Sequence, residues 1–160
     1  MTAISLKTQN DVLTIENDQI ALAFDLKSGR FCINRQGLLY PRIVNALAAV
    51  DYHTGKESGA VSSDRAGQFT VQQMPLQDVH GTGYQVLLKQ KGANEGLSLS
   101  FVVNIYEDRP FLLLRLLLHN TSGSTIYLDQ LSLVKAENDS KGSVQFGETP
   151  EELNFFKVGW

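Results

Sequence analysis

The chain has 160 residues, which suits one domain of the usual ~100–200 residues and leaves two cramped. Apolar side chains make up 42%; at a size where roughly 68–70% of the unfolded surface is buried on folding, that is enough for one substantial core and excludes wholesale disorder. Lys and Arg number 14 against 17 Asp and Glu, a formal charge of −3, the wrong sign to attract a phosphate backbone, so nucleic acid is not an expected partner.

The opening Met1-Thr2-Ala3-Ile4-Ser5-Leu6-Lys7 has no basic stretch leading into an apolar one. Nowhere do the ~18 apolar residues of a spanning helix run unbroken, so neither export nor a membrane span is expected. Ile20, Leu22 and Phe24 alternate with period two, the pattern of a strand with one buried face. Leu26-Lys27-Ser28-Gly29 turns the chain, residues 30–35 return it, and Gln36-Gly37 turns it again. Cys32, within Phe31-Cys32-Ile33, reads as a buried inert thiol. As the single cysteine it allows no intramolecular disulfide and no multi-cysteine zinc site, which fits a cytoplasmic home.

Residues 41–64 stay open: 43–50 suits a strand or a short helix, and the polar, glycine-punctuated 51–59 reads as a surface loop. Gly81-Thr82-Gly83 reads as a turn, since no third glycine or strand-loop-helix unit makes it a phosphate cradle. Residues 92–96 form a hairpin turn between 84–91 and a strand from Leu97, where Leu97, Leu99, Phe101, Val103 and Ile105 alternate with more polar neighbours. Asp108-Arg109-Pro110 then leads into the leucine-rich run 111–119, which a helix also accommodates, although the turns on either side favour a strand. Its even leucines, 112 to 118, suit a sandwich core. Phe111, Leu113 and Leu117 share the other face with Arg115 and His119, as a surface that something partly covers.

Residues 124–134 give a third long strand, and three in succession imply one antiparallel sheet. Roughly ten strands result, an all-β antiparallel chain. Thr149-Pro150-Glu151-Glu152-Leu153 carries the signals of a short helical turn. Phe155-Phe156-Lys157-Val158-Gly159-Trp160 places large apolar groups where a free end is normally polar, so a cut at a domain boundary is expected.

Chemistry is sparse. His53, His80 and His119 share no metal-ligand spacing and have no evident acidic partner, so His53 and His80 read as loop residues and His119 as a strand end. No Gly-x-Ser-x-Gly elbow is present. Most acids, such as Asp25, Glu107 and Asp108, fall at strand ends, and Asp129 is the mid-strand exception. No cofactor and no metal are expected. Asn120-Thr121-Ser122 and Asn138-Asp139-Ser140 match the glycosylation triplet but have no secretory route. For stacking on a sugar the candidates are Tyr52, Tyr84, Tyr106 and Trp160; Tyr84 and Tyr106 read as packing residues and Tyr52 as the exposed one.

Two segments resemble the N-terminal domain of glycoside hydrolase family 36, the α-galactosidase or melibiase-like enzymes. One runs from Arg109-Pro110-Phe111 through His119-Asn120-Thr121-Ser122-Gly123 to Asp129-Gln130-Leu131, similar to paired sandwich strands joined by an Asn-x-x-Gly turn. The other is 155–160, similar to the start of that family's Gly-Trp-Gln-Ser-Trp junction, with Gly159 and Trp160 present. The resemblance implies a large antiparallel supersandwich, galactose-mutarotase-like, over 1–148, with 149–160 as a linker into a (β/α)8 barrel. It implies that the barrel holds the two catalytic aspartates of a retaining glycosidase, so no catalytic residue transfers to this chain. Trp160 is then expected near the sugar, and Phe111, Leu113 and Leu117 at contacts with the barrel or a neighbouring subunit. Scaffold and oligomer contact is thus the first reading. An independent carbohydrate-binding module, with Tyr52 as the aromatic, is the alternative. A small self-contained epimerase using His and a carboxylate is the third.

Overall fold

The computed structural model describes residues 3–37, 42–55, 57–65, 67–91 and 96–145. Strands β1 (Ser5–Gln9), β2 (Val12–Glu16), β3 (Ile20–Asp25) and β4 (Phe31–Arg35) form an antiparallel meander that runs into β5 (Ile43–Thr54) and its hairpin partner β6 (Glu57–Ser62). A 3-10 turn at Ser63–Arg65 leads to a second antiparallel sheet of β7 (Phe69–Asp78), β8 (Gly81–Gln90), β9 (Leu97–Tyr106) and β10 (Leu112–Asn120), in the order β10-β9-β8-β7. The chain then crosses back, and β11 (Tyr127–Lys135) and β12 (Ser143–Val144) both pair with β5. The described residues contain no α-helix, and no helix among them is long and apolar enough to cross a membrane.

The two sheets pack face to face as an all-β sandwich. Alternation along β2 and β3 aims Leu13, Ile15, Leu22 and Phe24 inward, where they meet Val86, Leu88, Phe101, Val103 and Ile105 of the second sheet. Phe24 makes edge-on contacts with Phe69 and Phe101, with ring centroids 5.1 and 5.2 Å apart. Burying each such side chain contributes about 1.5–3 kcal/mol. A smaller cluster of Val50, Val61, Leu97 and Leu99 extends the core under the far end of β5.

β5 is the spine of the first sheet. β6 and β11 both pair with its residues 49–53, so they occupy its two edges. On the β6 side the ladder passes from β4, which ends opposite Ala46, to β6, which begins opposite Ala49. Ser63 fills the gap: its Oγ accepts the Ala48 N–H at 3.1 Å and donates to the Gly29 carbonyl at 2.7 Å. Gly29 has φ +64° and lies so close that a Cβ there would sit 2.0 Å from the Ser63 carbonyl oxygen, so only glycine permits the contact. Arg30 closes the other face of the joint. It donates to Asn45 O, Ser140 Oγ and the carboxylates of Asp64 and Glu137, while Asn45 Nδ2 donates to Ser140 O.

Several expectations are corrected. Residues 51–59 are not a surface loop but the tip of the β5–β6 hairpin; their polarity reflects an exposed ribbon, which needs no apolar alternation to be a strand. Gly81-Thr82-Gly83 is the start of β8 rather than a turn, and at Gly83 a Cβ would fall 1.9 Å from the Ile105 carbonyl oxygen of β9. From Phe101 to Tyr106 every residue of β9 is buried, on both faces, with Val102 between Arg115 of β10 and Leu87 of β8. β9, β10 and β11 do not share one sheet: β11 joins β5 across the sandwich. Residues 111–119 do form a strand, Leu112–Asn120, with Leu112, Leu114, Leu116 and Leu118 packed on the two core clusters. Cys32 is only partly buried, with its Sγ accepting the Asn45 N–H at 3.3 Å. The helical turn expected at 149–153 lies outside the described residues.

Candidate functional site

Tyr52 lies in β5, opposite Gly59 of β6 and Leu128 of β11. Its ring covers Gly59 so closely that a Cβ there would meet the ring Cζ at 2.7 Å. This fixes the ring against the sheet and leaves it partly exposed in a hollow of about 230 Å³. Thr54, Glu57 and Ser58 come to the hollow from the β5–β6 hairpin, and Ser122, Ser124 and Ile126 from the crossover between β10 and β11. The crossover is held by its own polar side chains. Asn120 Nδ2 donates to Ser124 O at 2.8 Å, while Asn120 Oδ1 accepts from Ser122 N–H at 3.0 Å and Ser122 Oγ at 2.8 Å.

On the outer side of the same strand, His53 Nδ1 lies 2.8 Å from Asp129 Oδ1, and the imidazole stacks on Tyr127 with centroids 5.0 Å apart. His53 therefore has an acidic partner and sits in a strand, contrary to the sequence expectation. Asp129 reaches it because β11 carries a bulge between Leu128 and Gln130. Seventy-six residues separate the two, so no local pattern announces the pair. Its only sequence signal is the mid-strand position of Asp129.

A third polar cluster sits at the β7–β8 tip. Asp78 accepts the backbone N–H of His80 and the Tyr106 hydroxyl, the latter at 2.8 Å, and these bonds hold its carboxyl below the ordinary range. Burial raises the Tyr106 hydroxyl, and the adjacent Asp78 carboxylate raises it further. His80 contacts the rings of Tyr106 and Phe111 edge-on, and Arg109 Nε donates to His80 O at 2.9 Å. The Tyr106–Asp78 and Arg109–His80 bonds tie the hairpin tip to the end of β9 and the turn that follows it.

The predicted positions are thus dispersed. Tyr52 lines the hollow; Phe111 is partly buried beside His80; Leu113 is partly buried and Leu117 exposed on the outer face of β10. Trp160 lies outside the described residues. Sequence patterning does not mark the exposed apolar side chains of β11: Tyr127, Leu128 and Leu131 are 55%, 52% and 51% exposed, and Leu117 on β10 is 48% exposed. Leu128 and Leu131 pair with Tyr52 and Val50 and so point to the inner side of the sandwich, yet β11 lies at the open lateral edge, where the smaller sheet does not cover them. Among the described residues no group of three or more His, Cys, Asp or Glu is placed to hold a metal ion.

No family model, curated protein or solved structure matches this chain.

Proposed function

We propose that this chain is the non-catalytic N-terminal β-sandwich of a family 36-like glycoside hydrolase, serving as scaffold and as packing surface for a catalytic barrel in the same polypeptide. The observation that carries the reading is a coincidence of place. The segment resembling that family, 109–131, forms β10 and most of β11, and these two strands hold the uncovered leucines 117, 128 and 131. Exposed apolar surface of this kind marks a contact with another protein surface. The polypeptide implied is a cytoplasmic retaining α-galactosidase that assembles as a homo-oligomer through such surfaces.

Two measurements test the proposal. Sequencing the gene beyond the Trp160 codon should reveal Gln-Ser-Trp followed by several hundred residues of alternating strands and helices; a stop codon there overturns it. In the complete polypeptide, Leu128→Lys with Leu131→Lys should weaken α-galactosidase activity and assembly by sedimentation while the isolated sandwich keeps its stability. Unchanged activity and assembly would count against the docking role.

A further inference from the structure

The geometry points to a weak binding site for a neutral pyranose in the hollow at Tyr52, independent of the scaffold reading. The base of the hollow is apolar, made by the Tyr52 ring and Ile126, both packed on the smaller core cluster. The rim is polar, lined by Thr54, Ser58, Ser122 and Ser124, with the Ser122 hydroxyl donating to Asn120 Oδ1 and so free only to accept from a ligand. A pyranose has one apolar face of C–H groups and an equatorial ring of hydroxyls, and this combination of an aromatic base and short hydroxyl side chains matches it.

Charge narrows the class. Glu57 is the one carboxylate among the described lining residues, and no described Lys, Arg or His joins it. The Glu57 carboxylate repels a phosphate, sulfate or uronate; a neutral sugar would instead donate a hydroxyl to it, a charge-assisted bond. The site is also organised in advance. Gly59 admits the Tyr52 ring flat against the sheet, Gly96 leaves room for Ser122, whose Cβ would lie 3.0 Å from any Cβ at that glycine, and Asn120 fixes the turn that carries Ser122 and Ser124. Tyr52 and Ser122 therefore have little side-chain freedom left to lose on binding. The hollow is shallow, so affinity belongs in the millimolar range typical of ~4 kcal/mol of binding energy.

Titration of the 160-residue chain with melibiose, followed by backbone amide shifts in NMR, tests the inference, with galacturonate as the charged control. Saturable shifts at Tyr52, Ser58 and Ser122 are expected with melibiose and none with galacturonate. Tyr52→Ala should weaken melibiose binding at least about tenfold, equivalent to ~1.4 kcal/mol. Tyr52→Phe keeps the ring and should bind within a factor of about three, which guards against reading a folding defect as lost binding. Glu57→Gln should admit galacturonate. No saturable shift at the solubility limit of melibiose, shifts elsewhere on the sandwich, or binding untouched by Tyr52→Ala would each overturn the site. The scaffold reading would survive all three.

Discussion

Changing Ser63 to alanine deletes a single oxygen and leaves two buried backbone groups without partners. The Ala48 N–H and the Gly29 carbonyl both bond to that oxygen, and Ser63 is fully buried, so water cannot replace it without opening the joint. A buried group left unsatisfied costs about 1–3 kcal/mol, which gives about 2–5 kcal/mol for the pair after some relaxation. For a chain of this length 1 kcal/mol shifts the melting temperature by roughly 2–4 °C, so the expected fall is about 4–20 °C. Thermal melts by circular dichroism with parallel urea titrations would measure it, and the urea slope should not change, because the same surface is exposed on unfolding. Ser58→Ala, on the exposed part of the neighbouring strand, serves as the reference and should stay within ~0.5 kcal/mol of wild type. A Ser63→Ala melt within about 2 °C of wild type would refute the argument that this hydroxyl completes the β5 ladder.

Gly29→Ala should be worse than Ser63→Ala, since its Cβ meets a backbone oxygen and its φ is left-handed; a urea midpoint above that of Ser63→Ala would contradict this. At Asp64, burial opposes the charge, but bonds from the Ser62 hydroxyl and the Arg30 guanidinium outweigh it and hold the carboxyl below the usual range. A folded pKa below the unfolded one stabilises the fold above the unfolded value, near pH 4, and that stability is lost as pH falls through the folded value. Wild type should therefore lose urea resistance below about pH 4 more steeply than Asp64→Asn, and equal slopes would remove Asp64 from the account. Arg30→Met should release the Asn138–Ser140 turn and speed amide hydrogen exchange at Ser143 and Val144 while sparing β2 and β3; unchanged exchange would show the clasp to be dispensable. Leu128→Lys and Leu131→Lys, at exposed positions, should leave the melting temperature of the sandwich within about 2 °C and reduce binding of a hydrophobic dye.

Local alternation made the individual strands legible. Ile20, Leu22 and Phe24 show a single buried face because β3 lies over the core, and the leucines of β10 read as a strand once the turns at 108–110 and 120–123 were weighed. The sheet to which a strand belongs was not legible. Nothing within 127–135 distinguishes pairing with β10 from pairing with β5; the choice is made by the crossover at 120–126 and by the free edge of β5. The hairpin at 51–59 was misread because both its strands are polar on their outer side, where alternation carries no apolar signal. The joint of Gly29, Arg30, Ala48, Ser63 and Ser140 was equally invisible, since residues as far apart as Arg30 and Ser140, 110 positions, meet only in the folded chain. For the hollow, Tyr52 was legible as an aromatic in polar surroundings, but Ser122 and Ser124 were not, because no sequence pattern ties a crossover turn to a distant hairpin.

The two-sided pairing of β5 also sets the order in which the molecule can be assembled. Its partners on one edge, β4 and β6, are its immediate neighbours in the chain, so that edge closes as soon as the hairpins form. The other edge waits for β11 and β12, which are translated only after all four strands of the second sheet. Throughout that interval a nascent chain presents the longest strand among the described residues with an open ladder on one side, a geometry exposed to pairing with another chain. Ribosome pausing or truncation anywhere between Thr54 and Tyr127 thus yields a species whose hazard is misassembly rather than simple unfolding, and the late, non-local closure by β11 makes folding slow as well.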